Sequence, residues 1–174
     1  MNTLQFLKSK IRVIPDFPKE GILFQDITTL LKDSEALNKV ADALYEKYKD
    51  KNITQVVCIE SRGFILGGIL AYKLGAGFVP IRKKGKLPAD TYITTYQLEY
   101  GEDSIELHEG ALSEEDKVLL HDDLLATGGT TLAAIDLLKQ SGVSNIEICF
   151  LMEISELEGR KNIPSEYEVF TLIK

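Results

Sequence analysis

The strongest constraint in this sequence is an order of elements that occurs twice. The stretch "ITQVVCI" (53–59) is rich in β-branched residues and leads through the turn "ESRG" into the helix-like "FILGGILAYKLG" and the short run "GFVPI". Further on, "KVLLHD" (117–122) leads through a glycine-rich turn into "GTTLAAIDLLKQSG" and then "NIEICFLME" (145–153). Each set is a strand, helix, strand unit, and parallel strands joined in this way take a right-handed crossover. Two such units predict an α/β fold: a mainly parallel, doubly wound sheet flanked by helices. Gly142 stands where the second helix is expected to close on a left-handed residue.

The first 33 residues lie outside that pattern. "PDFPKEGILFQDI" (15–27), with its prolines and glycine, reads as an extended loop feeding a turn. Asp33 or Ser34 then caps a helix whose Leu37, Val40, Ala41, Leu44 and Tyr48 keep helical spacing. Residues 83–110 alternate apolar and polar side chains like a hairpin and read as a long excursion from the sheet, of the kind that serves as a lid or binding loop. A length of 174 residues suits one domain spanning 1–174.

Composition narrows the functional classes. With 44% hydrophobic and 27% charged residues the chain resembles an ordinary globular protein. No apolar run approaches membrane length, and the N-terminus has no secretion-signal pattern, so the expected compartment is the cytoplasm. A formal charge of −7 argues against a nucleic-acid partner. The basic run "IRKKGK" (81–86) is a local exception that needs a local reason. Cys58 and Cys149 each sit in an apolar strand-like run and read as buried thiols, without disulfide or metal. His108 and His121 carry no motif; the first reads as a surface residue and the second as the end of a strand.

In open α/β sheets, ligands bind beyond the carboxyl ends of the strands. Both "ESRG" and "DDLLATGGT" fall there. A helix starting near Gly128 would turn the backbone N–H groups of Ala126, Thr127, Gly128, Gly129 and Thr130 toward an anion, with glycine allowing close approach. No Gly-Lys-Ser/Thr ending follows, and no Gly-x-Gly-x-x-Gly follows a strand, so neither a triphosphate loop nor a dinucleotide fold is expected. Asp122 and Asp123, taken alone, also suit a turn cap. With a phosphate cradle a few residues away, they suit the vicinal hydroxyls of a ribose whose 5-phosphate occupies the cradle.

On these residues, "VLLHDDLLATGGT" resembles the phosphoribosyl diphosphate (PRPP) motif of the type I phosphoribosyltransferases. "PDFPKEGILFQDIT", "ESRGFILGG" and "RKKGKLP…YQLEYG" extend the resemblance, from about Pro15 to Glu153, to the adenine-specific branch of that family. The resemblance implies that residues 1–33 form a hood over the site and 83–110 a catalytic lid. It implies that Glu60, Ser61 and Arg62 form a pyrophosphate loop with a cis peptide between Glu60 and Ser61. Arg82, Lys83 and Lys86 would reach the diphosphate, in relatives often from a neighbouring subunit. Glu99 would accept the purine proton. Phe24 would stack on the base, Leu23 would offer backbone groups to its edge, and Ile154 would cover the other face. Gln25 stands where the family pattern has arginine. The activity implied is transfer of the phosphoribosyl group from PRPP to adenine, giving AMP and pyrophosphate, with Mg²⁺ carried on PRPP within reach of Asp122, in a homodimer. The rival readings are transfer to another base, and a PRPP-sensing regulator without chemistry.

Overall fold

The apolar runs of the two repeated units stand side by side in the centre of a seven-stranded sheet. The computed structural model describes residues 2–98 and 101–174. In chain order the strands are β1 (Arg12–Pro15), β2 (Leu23–Asp26), β3 (Gln55–Ile59), β4 (Gly77–Lys83), β5 (Thr91–Leu98), β6 (Gly101–His108), β7 (Lys117–Leu125), β8 (Asn145–Glu153) and β9 (Val169–Ile173). The helices are α1 (Thr3–Ser9), α2 (Thr28–Lys32), α3 (Ser34–Tyr48), α4 (Gly63–Leu74) and α5 (Gly129–Gln140). The main sheet runs β5-β6-β4-β3-β7-β8-β9. From β4 to β9 all neighbours are parallel, and β6 and β5 add an antiparallel edge.

Helices cover both faces, which is why β3, β7 and β8 are apolar along their length rather than alternating. Val57, Ile59, Leu120, Ile148 and Phe150 pack with α5, while Val56, Cys58, Leu119, Cys149 and Leu151 pack with α1, α3 and α4. Cys58, His121 and Cys149 stand in register on neighbouring strands and are fully buried, as the sequence predicted for the two cysteines. Burial pushes the Cys149 thiol up to about 12 and holds the His121 imidazole down to about 4, so the ring is neutral; its Nδ1 lies 3.1 Å from the Cys149 carbonyl oxygen.

Several expectations need correction. Residues 15–27 are not only a loop, because β1 and β2 pair as an antiparallel ribbon that includes Leu23–Asp26. Lys117–Leu125 continues as a strand past both aspartates, so His121 lies inside β7 rather than at its end. The segment 83–110 does form a hairpin, but it is not an excursion from the sheet: β6 pairs with β4 at Arg82 and Lys83 and extends the sheet edge. Strand β9 was not anticipated; its "VFTLI" run finds its backbone partners on β8. Asp33 caps α3 as predicted, accepting a hydrogen bond from Ala36 N at 3.0 Å. Gly142 closes α5 with φ +87.

Candidate active site

A cleft of about 480 Å³ opens beyond the carboxyl ends of β3 and β7. Glu60, Ser61, Arg62, Lys83, Asp122, Asp123 and Thr130 line it, so seven residues singled out in three separate stretches of sequence converge there. β3 ends at Ile59, a cis peptide joins Glu60 to Ser61, and α4 begins at Gly63. A Cβ at Gly63 would lie 2.9 Å from Asp122 Oδ1, so the absent side chain is what lets this turn press against the acid strand.

The acid pair is half-buried at Asp122 and only 4% exposed at Asp123. Asp122 Oδ1 accepts a hydrogen bond from Asp123 N at 2.8 Å, and Arg62 Nε lies 2.8 Å from Asp123 Oδ2. Burial pushes the Asp122 carboxyl well above the usual range, and the neighbouring Asp123 charge adds to this. Asp123 is also raised by burial, against the pull of Arg62. Two crowded carboxylates in a partly dry cleft gain from any hydroxyl donors or cation that a ligand brings.

Beyond Leu125 the chain turns through Ala126 and Thr127 to Gly128, which has φ +86, and α5 starts at Gly129. No side chain caps the first turn of this helix. Its N–H groups and dipole are therefore available to an anion, as the cradle requires. The turn is held from behind by a segment that sequence reasoning missed. Asn162 Nδ2 donates to Thr127 O at 2.9 Å, and a Cβ at Gly159 would lie 2.0 Å from Ala126 O.

The basic run is distributed unequally. Arg82 Nε lies 3.2 Å from Glu60 Oε2, and the same carboxylate accepts from Lys83 N at 2.9 Å. Lys83 Nζ reaches Asp103 at 3.0 Å. Lys86 donates its backbone N–H to Glu106, and of the three basic residues only Lys83 lines the cleft, Arg82 and Lys86 standing beside it. The β5–β6 hairpin also brings in Tyr96 and Asp103, neither of them foreseen: Tyr96 Oη lies 3.4 Å from Thr130 Oγ1 and 3.5 Å from Asp103 Oδ2. Glu99 and its neighbour Tyr100 lie outside the described residues.

The residues expected to face a base are not gathered in one place. The Phe24 ring packs edge-on against Phe17 at 5.1 Å and lies 5.6 Å from the Arg62 guanidinium, which ties the hood to the cleft. Leu23 is 60% exposed. Gln25 and Ile154 line a different cavity of about 280 Å³, together with Lys8, Val13 and Glu153. Gln25 thus faces away from Phe24, as alternation along β2 dictates.

Residues 26–173 match the phosphoribosyl transferase domain family. An adenine phosphoribosyltransferase from Phocaeicola vulgatus is 56% identical over 167 residues, 96% of each chain. Among solved structures, the adenine phosphoribosyltransferase of Thermoanaerobacter pseudethanolicus superposes with a TM-score of 0.94 at 47% identity, covering 98% of this chain and 99% of the other. The enzyme of Giardia lamblia, complexed with 9-deazaadenine, superposes with a TM-score of 0.94 at 46% identity, covering 99% and 98%. By these likenesses the chain belongs to the phosphoribosyltransferase family, and within it to the adenine phosphoribosyltransferases.

Proposed function

We propose that this protein transfers the 5-phosphoribosyl group of PRPP to N9 of adenine, releasing pyrophosphate and forming AMP, a purine salvage reaction. The observation that carries this reading is the meeting, in one cleft, of the cis Glu60–Ser61 turn, the Asp122–Asp123 pair and the uncapped start of α5. Asp122 and Asp123 accept the ribose hydroxyls. The turn from Ala126 to Thr130 holds the 5-phosphate. Ser61, Arg62, Lys83 and Arg82 face the diphosphate, and Lys86 joins them only if the lid turn moves. As the C1–O bond lengthens, positive charge on the ribosyl group is met by the acid pair, and negative charge on the departing diphosphate by the basic groups. Glu99 takes the imidazole proton of adenine under the closed lid. Phe24 stacks on the base, the backbone of Leu23 and Gln25 reads its edge, and Ile154 closes the opposite side. Leu23 is 60% exposed and Gln25 and Ile154 line a separate cavity, so this reading requires the hood to close on the base.

The acid pair also fits Mg²⁺. Among the described residues no three His, Cys, Asp or Glu side chains form a metal cage, and Mg²⁺ commonly binds through one or two carboxylates plus substrate phosphates and water. Asp122 would touch such an ion, which would supply charge to neutralise the diphosphate. Two subunits are inferred to pair through the face of α4 and β4, where Ile65, Tyr72 and Phe78 are 46%, 87% and 40% exposed. No described helix is long and apolar enough to cross a membrane, and the proposed compartment is the cytoplasm.

Steady-state assays with PRPP, Mg²⁺ and adenine, hypoxanthine or guanine test the reading. A main-chain carbonyl facing the adenine amino group and an N–H facing N1 would leave a 6-oxopurine with like against like, a mismatch worth ~10⁴–10⁵ in kcat/KM. Hypoxanthine used within about tenfold of adenine, a margin of ~1.4 kcal/mol, would falsify it.

A further inference from the structure

The two cationic side chains that line the cleft, Arg62 and Lys83, and the neighbouring Arg82 each have an acid of their own. Arg62 pairs with Asp123, Arg82 with Glu60, and Lys83 with Asp103. The first two acids belong to the strand ends that build the site, and Glu60 additionally holds the Lys83 backbone. Asp103 is different. It comes from the lid strand β6, twenty residues beyond Lys83, and its remaining contacts are its neighbour Ser104 N at 2.9 Å and the Tyr96 hydroxyl at 3.5 Å. The pair is accessible from the cleft, with side-chain exposures of 59% at Lys83 and 25% at Asp103.

The pair is fully ionised at neutral pH. Partial burial pushes the Asp103 carboxyl up, but the Lys83 ammonium and the Ser104 N–H outweigh it and hold it below the usual range. Asp103 in turn raises the Lys83 ammonium. An ammonium assigned to the diphosphate is therefore occupied by a carboxylate that presents two anionic oxygens, much as a phosphate would. The Tyr96 hydroxyl links this carboxylate to Thr130 on the first turn of α5, so the ion pair also joins the lid to the 5-phosphate loop.

Resting on the PRPP reading of the cleft, we propose that Asp103 is a positioning residue, the resident counter-ion of Lys83, which an incoming diphosphate displaces and which recaptures Lys83 as pyrophosphate leaves. Two effects act in one direction: the diphosphate must break the pair, and the Asp103 charge repels the diphosphate. A part-exposed ion pair is weak, so the effect on affinity is about two- to tenfold rather than orders of magnitude. A competitor of that strength keeps Lys83 ordered without blocking the site.

The test compares wild type, Asp103→Asn and Asp103→Glu, each also on a Lys83→Gln background. Asp103→Asn keeps the shape and the acceptor for Ser104 N but removes the charge. Expected are a two- to tenfold fall in the KM for PRPP and in the inhibition constant of pyrophosphate, with the KM for adenine unchanged within about twofold. Asp103→Glu restores wild-type values, and added salt shrinks the difference. On the Lys83→Gln background most of the gain disappears. Pyrophosphate binding that is unchanged or weaker in folded Asp103→Asn overturns the proposal, as does a gain of full size without Lys83. Wild-type protein that binds neither PRPP nor pyrophosphate defeats the site reading itself, and the role of Asp103 with it; wild-type binding with unaltered constants in the variant defeats only the latter.

Discussion

Arg62 Nε lies 2.8 Å from Asp123 Oδ2, while the same guanidinium stands 5.6 Å from the centre of the Phe24 ring. One side chain thus joins the turn after β3, the acid pair of β7 and strand β2. Arg62→Gln leaves Asp123 buried without a cation, and a charge-assisted hydrogen bond is worth ~1.5–3 kcal/mol. The expected result is PRPP binding weakened about 10–100-fold by calorimetry. Because Arg62 is 38% exposed, solvent screening limits the accompanying loss of stability to ~1 kcal/mol.

Asp122→Asn together with Asp123→Asn is expected to remove useful PRPP binding, since the ribose hydroxyls lose their charged acceptors. The folded protein should survive. Both carboxyls are raised by burial, so neutralising them relieves a cost in the free protein, and the melting temperature should hold or rise in a thermal scan. A cooperative loss of fold would show instead that the pair is structural.

Gly159 touches no proposed ligand, yet a side chain there would strike Ala126 O. Gly159→Ala must displace the phosphate turn or the segment behind it. Overpacking of this kind costs ~1–3 kcal/mol, or ~2–4 °C per kcal/mol in a domain of this size. The KM for PRPP should rise about tenfold while the KM for adenine moves little.

Glu99→Gln should lower kcat by ~10²–10⁴ with a smaller effect on PRPP affinity, as removal of a general base does. A kcat near the wild-type value would leave Glu99 without the catalytic role and favour the reading of an ordinary surface glutamate.

Asp26 anchors the hood. Its carboxylate accepts from the Thr28 hydroxyl at 2.6 Å, from Thr28 N at 2.9 Å and from Arg12 at 2.5 Å. The Thr28 bonds lead in holding its carboxyl down to about 2, from the usual 3.8. A depressed carboxyl stabilises the fold fully above its unfolded value, and that stability is lost as pH falls through the folded value. Wild type should therefore melt above Asp26→Asn at pH 6, and the gap should close between about pH 4 and pH 2.

Much of the fold was legible in local patterns. The runs "QVVCI" and "NIEICFLME" form strands because β-branched and apolar residues fill a sheet covered on both faces, and the Asp33 cap of α3 depends only on residues three positions apart. The limits of β7 were less legible. Acid side chains at Asp122 and Asp123 signal a turn, but pairing with β8 as far as Leu125 kept the backbone extended. The "LFQD" stretch formed a strand for the same reason: its partner β1 supplied hydrogen bonds that no window of residues 15–27 contains.

By itself, then, the sequence determined which chemistry was present: an acid pair, a glycine-threonine turn before a helix, a short turn after β3, and a local excess of lysine and arginine. Tertiary structure alone decided which of these groups are free to act. It placed Lys83 against Asp103, left Arg82 and Lys86 off the lining of the cleft, set Gln25 and Ile154 in a cavity apart from Phe24, and backed the turn at Ala126 and Thr127 with Gly159 and Asn162. The reason is physical. Turns and caps are decided by hydrogen bonds across a few residues, whereas the pairing of a charge and the direction of a side chain depend on strands and loops brought together from distant parts of the chain.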